Sequence, residues 1–196
     1  MRRKKDSLVF SEKKKVLTPG LIKEILSWVF YTIIAVFIAS MLVIAFGMKT
    51  TVIGESMEPT IYNGQTVFIN RVAYLVSSPK KDDVIAFLPN GNSNSHYYIK
   101  RVMGVPGDTI QIIDGILYIN GEEQSIDDTI YDKMEEAGIA ENEIKLTSGQ
   151  YFVLGDNRNS SEDSRSANIG LVKGTNILGK CWYKTGGTEG DSGFVN

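Results

Sequence analysis

Three short stretches hold side chains that could share one reaction. Residues 54–60 read GESMEPT and place Ser56 in a turn flanked by glycine and proline. A serine hydroxyl attacks a carbonyl effectively only when a positioned base takes its proton. Without such a base the same segment is an ordinary turn. Histidine is the usual base, and the chain has one, His96, with no Ser-His-Asp spacing around it. A neutral lysine is the second route to an activated serine, but it needs burial that disfavours the ammonium. Lys100 follows Tyr97-Tyr98-Ile99 and, after Arg101, precedes Val102-Met103-Gly104-Val105. Lys145, between Ile144 and Leu146, is its one rival by surroundings, but it sits in an acidic stretch. The alternative for Lys100 is a strand lysine with a solvated head group. The third stretch, LGDNRNSSEDSR at residues 154–165, follows an apolar run and is dense in turn-forming polar side chains. There Asp163 and Arg165 could pair, Asp156 and Asn157 could cap backbone amides, and Ser161 could orient an amine.

These groups need elements to hold them, and the charge pattern divides the chain first. Residues 1–27 carry eight basic against three acidic residues, net +5, and the remainder carries 13 against 20, net −7. A basic tail directly ahead of an apolar run reads as a cytoplasmic membrane flank more readily than as a nucleic-acid arm. Between Ile25 and Met48 there is no Asp, Glu, Lys or Arg. Its most apolar part, residues 28–46, spans about 28 Å as a helix, close to the hydrocarbon thickness of a bilayer. Thr18 serves as N-cap and Pro19 lies in the first turn. Basic residues before the span place the N-terminus inside and residues 50–196 outside. Ala45-Phe46-Gly47 resembles a small-x-small cleavage site, but the apolar run exceeds a usual signal-peptide core, so an uncleaved anchor is favoured.

Beyond the anchor the pattern is β. Strands are expected over residues 50–53, Thr66–Asn70, Val84–Phe87, 96–102, Thr109–Ile113, Ile116–Ile119, 151–154 and 177–183, separated by Asn-Gly, Asp-Gly and Pro-Gly turns. Residues 122–148 read as an acidic insertion with one short helix over 131–137 that Gly138 stops. The expected organisation is a basic tail (1–20), a transmembrane anchor (21–48), a β-rich domain (49–185) and a polar, mobile tail (186–196). One cysteine, Cys181, excludes an internal disulfide framework, and with His96 alone beside it a zinc centre lacks ligands.

GESMEPT, YYIKRVMGVPGD and GDNRNSSEDSR, in this order after one N-terminal apolar helix, resemble the motif boxes of bacterial type I signal peptidases. NGQTVFINR, DDVIAF, LYINGE and GKCWY fit the same pattern more weakly, and the likeness covers residues 52–183 apart from the insertion. The resemblance implies an all-β extracytoplasmic catalytic domain of the Ser-Lys peptidase fold, shared with self-cleaving repressors, behind a single transmembrane helix. It implies a serine endopeptidase that removes signal peptides at the outer face of the cytoplasmic membrane. Ser56 corresponds to the nucleophile, Lys100 to the general base and Ser161 to the serine that orients that lysine. Asp163 and Arg165 match a structural ion pair, framed by Gly155, Asp156 and Asn157. Val52, Tyr98 and Ile99 fall where family members line shallow pockets for small side chains at the −1 and −3 positions of the precursor. Gly54 stands where some members carry an oxyanion-binding serine, so the Ser56 amide takes the larger share of that task; glycine there marks the compact Gram-positive-like form. The implied partners are secretory precursors, the lipid bilayer and the secretion translocon, with no nucleic acid and no metal or organic cofactor. Three other readings compete: a self-cleaving repressor domain, a sortase-like transpeptidase, and a catalytically silent anchored β domain acting as a scaffold. The anchor opposes the first, the missing Cys-His motif around Cys181 opposes the second, and the Ser56, Lys100 and Ser161 set opposes the third.

Overall fold

The computed structural model describes residues 18–92, 96–124 and 133–195. The chain divides into two compact units, residues 1–41 and 42–196. Helix α1 (Pro19–Phe46) begins where the Ile22 amide donates to the Thr18 carbonyl at 3.1 Å, with proline at its first position. It has no acidic residue in its first turn and no basic one in its last. Its two interior hydroxyls, Thr32 and Ser40, donate to the carbonyls of Trp28 and Val36 at 2.8 Å, so neither presents a free donor to an apolar surround. Residues 19–44 are long and apolar enough to cross a membrane.

The remaining elements are β1 (Met48–Thr51), β2 (Thr66–Asn70), a single helical turn α2 (Ala73–Val76), β3 (Val84–Phe87), β4 (Tyr98–Gly104), β5 (Thr109–Ile113), β6 (Ile116–Ile119), β7 (Glu122–Glu123), β8 (Ile144–Lys145), β9 (Gln150–Leu154), β10 (Val172–Lys173), β11 (Ile177–Lys184) and β12 (Gly193–Phe194). One sheet runs β1-β2-β11-β3-β4-β9-β10 with β12 added to β11; the second runs β7-β6-β5-β8, and the strand pairs of both are antiparallel. The architecture is therefore all-β behind one apolar helix. Strand β3 is buried at all four positions. Val84 and Ala86 enter a cluster with Val52, Met57, Ile61 and Ile99, whereas Ile85 and Phe87 enter another with Val102 and Val153. A strand covered on both faces reads as a continuous apolar run, not an alternating one.

Several boundaries differ from expectation, each for a local reason. The strand expected over 50–53 is Met48–Thr51, because Gly54 turns into the left-handed region (φ 96°) and its amide donates to Asn63 Oδ1 at 3.1 Å. The strand expected from residue 96 starts at Tyr98, where pairing with Phe87 begins, and bulges on to Gly104 against β9. The expected helix over 131–137 is not formed in its described part; residues 131–132 lie outside the described residues. The Met134 amide is taken by the Gly115 carbonyl (3.0 Å) and the Glu135 amide by Asn159 Oδ1 (3.0 Å), so these amides have no part in helical bonding. Gly138 starts a 3-10 turn, Gly138–Glu141, instead of ending a helix. The acidic stretch contains β7 and β8, which both pair within the second sheet. The polar C-terminal stretch is tied down as well: β12 pairs with Tyr183 and Lys184, and Val195 is buried.

Candidate active site

Lys100 lies on β4 opposite Ile85, in the middle of the large sheet. Only 4% of it is exposed. Burial is the largest influence on its amine and pushes the pKa down to about 8, against the opposing fields of Asp163, Glu162 and Asp156; Arg165 adds a downward push. Its Nζ donates to Ser56 Oγ at 2.7 Å and lies 5.6 Å from the centre of the Tyr98 ring. When the amine is neutral the same contact can reverse, with the hydroxyl donating to the nitrogen lone pair. Ser56 is held from below: Met57 and Ile61 are fully buried, and the Ile61 amide closes a turn on the Met57 carbonyl at 2.8 Å. The Glu58–Pro59 peptide in this turn is cis. Among the described residues no acceptor meets the Ser56 amide, whereas the Gly54 amide is committed to Asn63. The group that could bind an oxyanion here is therefore the Ser56 N–H.

The loop at 155–165 packs directly on this pair. The Asn157 amide donates to the Ser56 carbonyl at 3.1 Å. Gly155 is wedged so closely that a Cβ there would overlap both the Ser56 carbonyl oxygen and Ser161 Oγ. Asp163 and Arg165 form a buried two-pronged ion pair at 2.8 and 2.9 Å, and Asp163 Oδ2 also accepts from the Gly155 amide at 3.1 Å. Asp156, expected to cap an amide, instead pairs with Arg101 through two bonds of 2.8 Å, with both side chains buried. Ser161 Oγ is buried beside Gly155 and has no hydrogen-bond partner among the described residues, so the bond to Lys100 expected of it is not made. Asn157 acts through its backbone; the Ser160 amide donates to its carbonyl at 3.2 Å.

A cleft of about 560 Å³ opens over the dyad, with residues 50–56 on one side and residues 96–100, Ser160 and Glu162 on the other. Val52, Gly54, Tyr98 and Ile99 all line it. Strand β1 ends the sheet order, and β9 pairs with β4 only from Arg101 onward, so two extended segments face the cleft with open edges. Such edges can accept an extended peptide as an added strand. His96 is exposed on the cleft wall, and Lys145 is exposed on β8 in the other sheet. Cys181 is fully buried in the core, and burial pushes its thiol up to about 12. No group of three or more His, Cys, Asp or Glu side chains among the described residues is arranged to hold a metal.

Four contributors escaped the sequence reading. Arg101 had a readable signal: an arginine in an otherwise apolar strand needs a buried carboxylate, although its partner lies 55 residues away. Arg158, whose Nε donates to the Gly155 carbonyl at 3.1 Å, sits inside the motif and was passed over. Asn63 carries only a turn signal in the sequence, and Glu162 only that of a polar loop.

Comparison with known proteins places these positions in a family context. The profile described as "Signal peptidase, peptidase S26" matches residues 25–184. The chain is 34% identical over 159 residues to signal peptidase I of Bacillus licheniformis, covering 78% of this chain and 83% of that one. It is 33% identical over 179 residues to signal peptidase IB of Staphylococcus aureus (strain COL), covering 83% and 90%. A crystal structure of a signal peptidase I from Enterococcus faecalis V583 is 32% identical, with a TM-score of 0.41, and covers 54% of this chain and 97% of that one.

Proposed function

Since this chain belongs to the signal peptidase family, peptidase S26, we propose that it removes signal peptides from secreted precursors, with Ser56 as nucleophile and Lys100 as general base. The observation that carries this reading is the 2.7 Å contact between Ser56 Oγ and the Nζ of a lysine that is only 4% exposed. Lys100 in its neutral form takes the hydroxyl proton as Ser56 Oγ attacks the scissile carbonyl. The oxyanion that forms is met by the Ser56 amide. Lys100, now an ammonium, returns the proton to the departing amine, the C–N bond breaks, and an acyl ester remains on Ser56. A water deprotonated by Lys100 then attacks the ester and releases the signal peptide as a free acid. The buried pairs Arg101–Asp156 and Asp163–Arg165 hold the loop against the Ser56–Lys100 pair.

The precursor lies in the cleft as an added strand, small side chains entering beside Val52, Tyr98 and Ile99. Small residues are preferred at −1 and −3 on this reading, since Val52, Tyr98 and Ile99 line the cleft beside the dyad. Helix α1 anchors the enzyme in the cytoplasmic membrane, with the basic N-terminus inside and the catalytic unit outside, where signal peptides emerge from the translocon. Cleavage of a labelled precursor with an Ala-x-Ala site tests the proposal: wild type cuts it, and Ser56→Ala and Lys100→Ala do not. Failure of wild type on several such precursors would contradict it.

A further inference from the structure

The acidic stretch after β7 takes no part in the chemistry proposed above, yet its backbone is tied to the loop that packs on the dyad. The side chain of Asn159 spans two of its backbone groups: Oδ1 accepts from the Glu135 amide at 3.0 Å, and Nδ2 donates to the Lys133 carbonyl at 2.9 Å. Arg165 Nη1 donates to the Glu136 carbonyl at 3.3 Å, and the Ile139 amide donates to the Arg165 carbonyl at 2.9 Å. Gly138 has φ 56°, and a Cβ there would overlap the Arg165 carbonyl oxygen. The far side of the stretch is fixed to the second sheet: Met134 is buried in that core, its amide donates to the Gly115 carbonyl at 3.0 Å, and Ala140 is fully buried.

We infer that residues 133–139 form a brace that fixes loop 155–165 against Ser56 and Lys100, with Asn159 and Gly138 as its positioning residues. The inference rests on the peptidase reading above. Asn159 is exposed, so its two bonds hold shape at the cost of side-chain entropy and do not fill a core. The loop it holds delivers the Asn157 amide and Gly155 to the Ser56 carbonyl and carries Asp163 beside Lys100. A loop rich in turn formers samples several shapes unless neighbours fix it. A displacement of about 1 Å at reacting groups costs on the order of a hundredfold in rate. Glu135, Gly138 and Asn159 lie outside the cleft lining, so they meet no bound peptide directly and act through the loop that carries Ser160 and Glu162.

Steady-state cleavage of an Ala-x-Ala peptide by the full chain in detergent, with thermal unfolding measured on the same samples, tests this. Asn159→Ala is expected to lower kcat about tenfold, with KM within about twofold and the unfolding midpoint unchanged. Asn159→Asp, which keeps the acceptor for the Glu135 amide and loses the donor, falls between. Gly138→Ala moves kcat the same way, and the double variant with Asn159→Ala loses less than the product of the two single losses, because both disable one device. Should Gly138→Ala not fold, Asn159→Ala decides alone. The brace is overturned if Asn159→Ala keeps kcat within about twofold of wild type, if KM rises while kcat holds, or if the loss of kcat matches a loss of folded protein. An inactive wild type would instead overturn the peptidase reading, and the brace with it.

Discussion

Lys100 carries opposing demands. As the proposed base it must be neutral, and burial favours that form by lowering its pKa from 10.5 to about 8. Activity is therefore expected to rise with pH through about 8, with the acid limb of the kcat/KM profile near that value. Glu162 lies in the cleft wall, and its charge pulls the lysine pKa upward. Glu162→Gln is predicted to move the acid limb to lower pH, measurable as a pH–rate profile; an unmoved or raised limb would contradict it. Burial also costs stability. The folded state binds the Lys100 proton less tightly than the unfolded chain does, so stability rises with pH between about 8 and 10.5 and carries the full cost below that window. That cost is about 3 kcal/mol for the shift itself. Lys100→Met is predicted to abolish activity yet raise the unfolding midpoint at pH 7, with the gain shrinking above pH 8.

At the scale of elements, the loop and the turn before it depend on a few backbone and ion-pair constraints. Arg101→Met leaves the Asp156 carboxylate buried without its main partner and is expected to cost about 3–5 kcal/mol in denaturant unfolding. Gly54→Ser meets open space for its side chain but must adopt φ 96°, so a cost of about 1–3 kcal/mol is expected from backbone strain alone. The strand set was legible because β3, β5 and β6 are short apolar runs between Gly, Asn and Asp turns, where local preference and tertiary environment agree. The Ser56–Lys100 contact was legible only as two conspicuous residues; their meeting across 44 positions depends on the pairing of β4 with β3 and the turn at Gly54. The Arg101–Asp156 pair was not read, since the partner of a buried guanidinium is set by sheet topology. The helix misassigned over 131–137 shows the same limit: its amides answer to Gly115 and Asn159, groups that no local window contains. Likewise, the C-terminal stretch looked mobile by composition, but Gln65 Nε2 donates to the Asp191 carbonyl at 3.3 Å and β12 pairs with β11.

For the whole molecule, the proposed function divides the work between the apolar helix, for location, and the β domain, for chemistry. The basic residues ahead of the helix support the orientation proposed above. The Ser56–Lys100 pair and the cleft over it lie within residues 42–196. The proposed chemistry stands or falls with the dyad. The most direct measurement is cleavage of a labelled Ala-x-Ala precursor by wild type, Ser56→Ala, Lys100→Ala and His96→Ala, the full chain being held in vesicles. The account predicts loss of cleavage in the first two variants and retention in His96→Ala, whose imidazole is exposed on the cleft wall. An active Lys100→Ala beside an inactive His96→Ala would contradict it and move the base to histidine.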